Sequence, residues 1–292
     1  MSSQTVRAIM IGDVVGDPGL EALDRLLPQL IKESSADFVT VNGENAASGF
    51  GLTDAALEKL FAAGADVVTG GNHIWEKREI WPTLDSEKRL LRPMNYSDTS
   101  HQKTVGKGWL RLEKPSPWGG PPIHWLVVNL QGREFMSLLN CPFKTFDSFE
   151  FSLNANNANV ESSLTDSDNQ LSTVPEGSPI ILVDFHAESS REKEALAYYL
   201  DGRVSVLAGT HTHIQTADER ILPKGSAYIT DLGMTGILDG VIGMDTQICL
   251  DRARNQVLYR MEIAPAGGKT AVQGIIAEID AKTGKALSIK RL

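Results

Sequence analysis

Val6-Arg7-Ala8-Ile9-Met10-Ile11-Gly12-Asp13 (residues 6–13) is a short apolar run that ends on a glycine and a carboxylate. Val6 to Ile11 reads as a β-strand. Gly19 to Lys32 then reads as a helix, with Leu20, Leu23, Leu26, Leu27 and Leu30 on one face. The same alternation continues outward. Asp37 to Val41 is a second strand, and Thr53 caps a helix that runs through Ala63 to Gly64. Ala65 to Thr69, Ile123 to Leu130, Pro179 to Asp184 and Val204 to Ala208 are further strands, with a helix from Ser190 to Leu200 before the last. Strands alternating with amphipathic helices predict a layered α/β fold.

The last third is richer in strands. Arg220 to Leu222 and Ala227 to Thr230 flank Lys224-Gly225 and predict a hairpin. Gln247 to Leu250, Val257 to Ile263, Val272 to Ile279 and Ala286 to Ile289 are also strand-like, and are expected to finish a second sheet packed on the first. Residues 152–178, rich in Asn, Ser, Thr and Asp, are expected to form a mobile surface insertion rather than a substrate lid. No stretch has the composition of a linker, so 1–292 is expected to be one domain.

Acidic residues outnumber basic ones by 37 to 28, a net charge of -9, which argues against a broad basic surface tracking a long nucleic acid. An anionic substrate would then need local positive charge, and bound metal ions are one source. Cys141 and Cys249 lack metal or redox spacing and read as reduced, buried thiols. Met1 to Arg7 contains no signal-peptide core, and no apolar run reaches the length of a membrane span, so a cytoplasmic location is expected.

The residues able to bind metal fall at strand ends. Asp13 follows the first strand, Glu44 and Asn45 the second, Asn72 and His73 the third. His186 follows the Pro179 to Asp184 strand, and His211 and His213 the next. Ligands of α/β sheets bind outside the carboxyl ends of the strands. Taken singly, Asp13 could cap the following helix, Asn72-His73 could be a turn, and His211-Thr212-His213 an unliganded pair. Their conjunction points to metal. Carboxylate, amide and imidazole without thiolate suit Mn, Fe, Zn or Co, and eight side chains suffice for two ions. Glycines before Glu44, Asn72 and His211 are expected to let the chain turn sharply. His101 and His124 lack such support and read as structural.

Seven motifs carry a family resemblance: Ile11-Gly12-Asp13-Val14-Val15-Gly16, Asn42-Gly43-Glu44-Asn45-Ala46-Ala47, Gly71-Asn72-His73-Ile74-Trp75, Asn129-Leu130-Gln131-Gly132-Arg133, Asp184-Phe185-His186-Ala187-Glu188, the run from Gly209 to Asp218, and Asp231-Leu232-Gly233-Met234-Thr235-Gly236. Over nearly the whole chain it resembles the calcineurin-like metallophosphoesterases, specifically their bacterial YmdB-type branch. The resemblance implies a four-layer α/β/β/α sandwich, two packed mixed sheets flanked by helices. It also implies a binuclear metal centre acting on phosphodiesters, with cyclic nucleotides among the candidate substrates.

Residue by residue, the superfamily's Asp-x-His opening is here Asp13-Val14-Val15, so one histidine ligand is missing. Glu44 corresponds to the bridging aspartate, and Asn45 is placed to supply the missing ligand. By resemblance one metal takes Asp13, Glu44, Asn45 and His213, the other Glu44, Asn72, His186 and His211. Fe or Mn is favoured, with Zn and Co as alternatives. His73 resembles the family's catalytic histidine, protonating the departing oxygen while a metal-bridging hydroxide attacks phosphorus. Asn45, Asn72, Gln131 and Arg133 are the expected substrate contacts. A small phosphodiester is the expected partner, with a link to RNA regulation, no membrane, and a homo-oligomeric state. Two rival readings are an amidohydrolase-type barrel, disfavoured by the late His211 and His213, and a non-catalytic regulatory or RNA-associated protein with a vestigial metal site.

Overall fold

The computed structural model describes residues 4–98, 103–158 and 179–292, so His101 lies outside the described residues. Two mixed sheets form its centre. The first has five strands in the spatial order Ala286–Arg291, Gly274–Asp280, Thr5–Ile11, Phe38–Asn42, Val67–Thr69. The second has six, in the order Trp109–Lys114, Ile123–Gln131, Ile180–His186, Val206–Thr210, Ala227–Ile229, Arg220–Ile221. Thr5–Ile11, Phe38–Asn42 and Val67–Thr69 run parallel, as do Ile123–Gln131, Ile180–His186 and Val206–Thr210.

Strand periodicity explains the layers. Val6, Ala8 and Met10 face the second sheet and pack with Trp125, Val127, Leu182 and Val206. Ile9 and Ile11 point the other way, onto Leu20, Leu23 and Leu27 of the Gly16–Ser34 helix and Leu57 and Leu60 of the Asp54–Ala62 helix. On the far side of the second sheet, Val128, Val183 and Phe185 pack with Phe146, Leu196 and Leu200 from the Pro142–Ala158 and Ser190–Leu200 helices. The result is the four-layer α/β/β/α sandwich. Between the sheets, the rings of Phe38 and Trp125 stack at 4.6 Å.

Several helix boundaries follow from capping. Thr53 Oγ1 accepts the Ala56 N–H, and Ser189 Oγ accepts that of Glu192, starting helices where the hydroxyls predict.

Other expectations need correcting. Gly274–Asp280 and Ala286–Arg291 do not extend the second sheet. The chain returns antiparallel to Thr5–Ile11, from Thr5 opposite Asp280 to Ile11 opposite Gly274, and so completes the first. Only the Arg220–Ile221/Ala227–Ile229 hairpin extends the second. The Gln247 to Leu250 run lies in a helix, Thr246–Asn255, because the Asp245 carboxylate caps the Ile248 N–H at 2.9 Å. Among the described residues, Val257 to Ile263 has no partner strand and makes an isolated bridge from Ile263 to Met244. The polar segment at 152–178 begins inside the Pro142–Ala158 helix, and 159–178 lie outside the described residues. Cys141 and Cys249 are unpaired and half-buried rather than buried. No described helix is long and apolar enough to cross a membrane.

Trp125 and Phe38 hold the two sheets at their spacing. Trp125→Ala is expected to cost about 3–5 kcal/mol by urea unfolding; a loss below about 1 kcal/mol would show that the layers do not depend on this contact.

Candidate metal centre

The strand ends of both sheets, not one edge of one sheet, meet at the site. Asp13, Glu44, Asn45, Asn72 and His73 follow strands of the first sheet. His186, His211 and His213 come from the second. Asp13 does not cap the following helix, whose N-cap is Val15 without a side-chain bond.

His186 Nε2 lies 3.0 Å from each of Glu44 Oε1, Asn72 Oδ1 and His211 Nδ1. His213 Nε2 is 3.2 Å from the Asn45 amide nitrogen and 3.8 Å from Asp13 Oδ1. Asn45 Nδ2 is also 3.3 Å from Glu44 Oε1, which joins the two groups. Asp13, Glu44 and His186 are fully buried.

Each imidazole has its other nitrogen held. His186 Nδ1 donates to Thr210 Oγ1 at 3.0 Å, and that hydroxyl donates to Asp184 Oδ1 at 2.7 Å. His211 Nε2 meets Glu188 Oε2 at 3.2 Å, and His213 Nδ1 donates to the Ile242 carbonyl at 2.9 Å. These partners select the tautomers that turn His186 Nε2, His211 Nδ1 and His213 Nε2 toward the cluster. Asp184 is itself anchored by Thr69 and Asn42, at 2.5 and 3.0 Å.

The glycines act differently from expectation. Gly43, Gly71 and Gly209 are absent from the positive-φ residues; each instead leaves room. A Cβ on Gly71 would sit 2.4 Å from Glu44 Oε2 and from the His186 ring, and one on Gly209 only 1.8 Å from the Thr230 carbonyl oxygen. The left-handed backbone falls on the histidines themselves, His211 at φ 101° and His213 at φ 64°. Such conformations cost about 1–3 kcal/mol each and persist only where surroundings enforce them.

Burial opposes every charge in this cluster, and proximity decides the outcome. Burial favours the neutral Glu44 acid, but the His186 imidazolium overrides it and holds the carboxyl down at about 2. Burial likewise disfavours the His186 cation, yet Glu44 and Asp13 raise it to about 9. His211, buried beside His186, is pushed down to about 3. Burial raises Asp13, and raises Asp184 to about 6 against hydrogen bonds from Thr69 and Thr210.

The donor set fits cations. Glu44, His186 and His211 offer ligand atoms that all lie within 4.8 Å of one another. The buried Asn45 Oδ1 has no hydrogen-bond partner among the described residues, so its lone pairs are available to an ion. Val15, where the superfamily pattern has histidine, is packed against Met234 and Met244.

The cleft above is about 400 Å³. Its polar side carries Glu44, Asn45, His73, Glu188, His211 and His213; Phe50, Ile242, Met244 and Met261 form an apolar wall. His73 is half-buried. Its backbone N–H donates to Glu44 Oε2 at 2.9 Å, and its Nδ1 lies 3.2 Å from Glu76 Oε1. Glu76 was not foreseen; its spacing of three residues from His73 was the available signal. Gln131 and Arg133 do not line the cleft. Gln131 is fully buried against Asn95 and Tyr96, and the Arg133 N–H donates to Glu192. His124 is tucked between Arg111 and Glu113.

Two packed mixed sheets between helices are a fold shared with the calcineurin-like phosphoesterases. YfkN of Bacillus subtilis, a member of that class, matches at TM-score 0.55 over 99% of this chain and 90% of its own, at 10% identity, a likeness of fold alone. Within the class, the chain belongs to the YmdB-like protein family, whose model matches residues 9–292, and is a phosphoesterase. A 2′,3′-cyclic-nucleotide 2′-phosphodiesterase of Bacillus subtilis is 40% identical over 98% of this chain and 96% of its own. A phosphatase of known structure from Mycoplasma pneumoniae is 30% identical, with TM-score 0.82, over 99% of this chain and 93% of its own.

Glu44 and Asp13 raise His186 to about 9, so a cation taken up at its Nε2 at neutral pH would have to displace a proton. Loading metal-stripped protein with Mn²⁺ at pH 7 is expected to release about one proton from His186, read with a pH-indicator dye, and apparent affinity should rise with pH up to about 9. Proton-neutral loading at pH 7 would contradict this assignment.

Proposed function

We propose that the chain is a binuclear metal-dependent phosphodiesterase acting on small phosphodiesters, cyclic nucleotides foremost. The observation that carries this is the meeting of seven donor side chains from two sheets, four of which, Glu44, Asn45, His211 and His213, line a cleft with an apolar wall. Asp13, Glu44, Asn45 and His213 would hold one cation, and Glu44, Asn72, His186 and His211 the other, with Fe or Mn favoured over Zn or Co. When bound, the ions supply charge neutralisation at the phosphoryl group and lower the pKa of a coordinated water.

The chain's own residues do the rest. Glu44, lying between the two groups of donors, fixes their separation. Asn45 and Asn72 place amides beside the phosphoryl oxygens. His73 hands a proton to the departing oxygen; Glu76 engages its Nδ1, leaving Nε2 for that task. Phe50, Ile242, Met244 and Met261 give the organic part of the substrate an apolar surface. The name of the Bacillus subtilis relative supports a 2′,3′-cyclic nucleotide as that substrate. The whole chain acts as one catalytic domain, and its two unpaired cysteines accord with a cytoplasmic location.

With bis(p-nitrophenyl) phosphate and a panel of 2′,3′- and 3′,5′-cyclic nucleotides, Glu44→Gln is expected to lose metal and activity together. His73→Ala should keep its metal content and lose about 10²–10⁴-fold in turnover. Full activity in His73→Ala would remove it from the reaction, and metal-replete, active Glu44→Gln would overturn the proposal.

A further inference from the structure

One buried charge pair lies outside the donor set. Lys193, on the first turn of the Ser190–Leu200 helix, has no exposed surface, and its Nζ lies 2.7 Å from Oδ2 of the equally buried Asp231. Asp231 Oδ2 also accepts the Thr212 hydroxyl at 2.8 Å and the Thr212 N–H at 3.2 Å, while Oδ1 accepts the Gly233 N–H at 2.9 Å. Both carboxylate oxygens are therefore in use, which an asparagine could not reproduce.

Thr212 sits between His211 and His213, both held in left-handed backbone. A buried ion pair is a poor stabilising device, since apolar residues of similar volume often do as well or better. Here it grips Thr212, the residue that joins the two histidines. The geometry points to Lys193 and Asp231 as positioning residues, a clamp that acts through Thr212 to aim His211 and His213 at the cation site. The inference rests on the proposal that these two histidines bind cations.

Lys193 has a distinct part. Its ammonium occupies the Asp231 carboxylate at 2.7 Å, while Asp13 and Glu44 are the carboxylates that meet the His213 and His186 rings. To reach Asp231, its stem passes over Gly209, where an added Cβ would lie 2.8 Å from Lys193 Cδ. The neighbouring Glu192 binds the Arg133 and Glu134 N–H groups, so one helical turn fixes two loops beside the site.

The test titrates metal-stripped protein with Mn²⁺ alone, reading free ion by electron paramagnetic resonance, with thermal melting to confirm folding. Removing such a supporting partner typically costs about 10–100-fold in metal affinity, and that is the loss expected for Asp231→Asn and Thr212→Val. Thr212→Val leaves the ion pair intact, so it answers even if Asp231→Asn does not fold. Thr212→Ser keeps the hydroxyl and should restore wild-type affinity, a rescue that a purely structural role would not require. His211→Ala serves as the reference. If it weakens Mn²⁺ binding while folded Thr212→Val binds as wild type does, the clamp is overturned and the ligand assignment stands. If His211→Ala itself binds Mn²⁺ normally, the ligand assignment fails and the clamp falls with it.

Discussion

The carboxylate of Glu44 is completely shut off from water at the place where two β-sheets meet, and the surrounding structure answers to that fact. An ionised group in such a place is costly unless opposite charge or hydrogen-bond donors surround it. Glu44 has both: His186 on one oxygen and the His73 N–H on the other, with the Asn45 amide alongside. Asp13 adds a second buried carboxylate close by. Two acids and three imidazoles so confined form a candidate cation site, and its supporting hydrogen bonds leave the imidazoles little freedom.

The fold supplies this arrangement through the direction of its strands. Parallel strands in both sheets end at the same side, and the Phe38–Trp125 stack helps fix how far apart the sheets lie. Close approach at the ends is possible because Gly71 and Gly209 carry no side chain. A methyl group at Gly71 would occupy the space of Glu44 and His186. Local backbone strain then collects at His211 and His213, two of the proposed ligands.

Much of this was legible in the sequence because the relevant signals are local. Runs ending in Gly-Asp, Asn-Gly-Glu-Asn or Gly-Asn-His announce a strand and the group that it delivers. Thr53 announces a helix start. What failed was non-local. Whether Gly274–Asp280 pairs with the first strand or the second sheet depends on a partner more than two hundred and fifty residues away, and alternating apolar residues satisfy either. The Gln247 to Leu250 run is too short for its period to separate helix from strand, and the Asp245 cap decided it. Lys193 looks in sequence like an ordinary surface charge, and Asp231 stands out only as the start of a motif; burial reveals their pairing. Gln131 and Arg133 drew attention through a motif, yet the motif's polar groups serve the packing of neighbouring loops.

The most direct test of a shared, carboxylate-centred site is a crystal of the protein loaded with Mn²⁺ and measured at a wavelength with anomalous signal. The account predicts two anomalous peaks roughly 3.5–4 Å apart, flanking Glu44, with His186 and His211 at one and His213 at the other. Metal peaks confined to surface carboxylates, with none within bonding distance of Glu44, would contradict it.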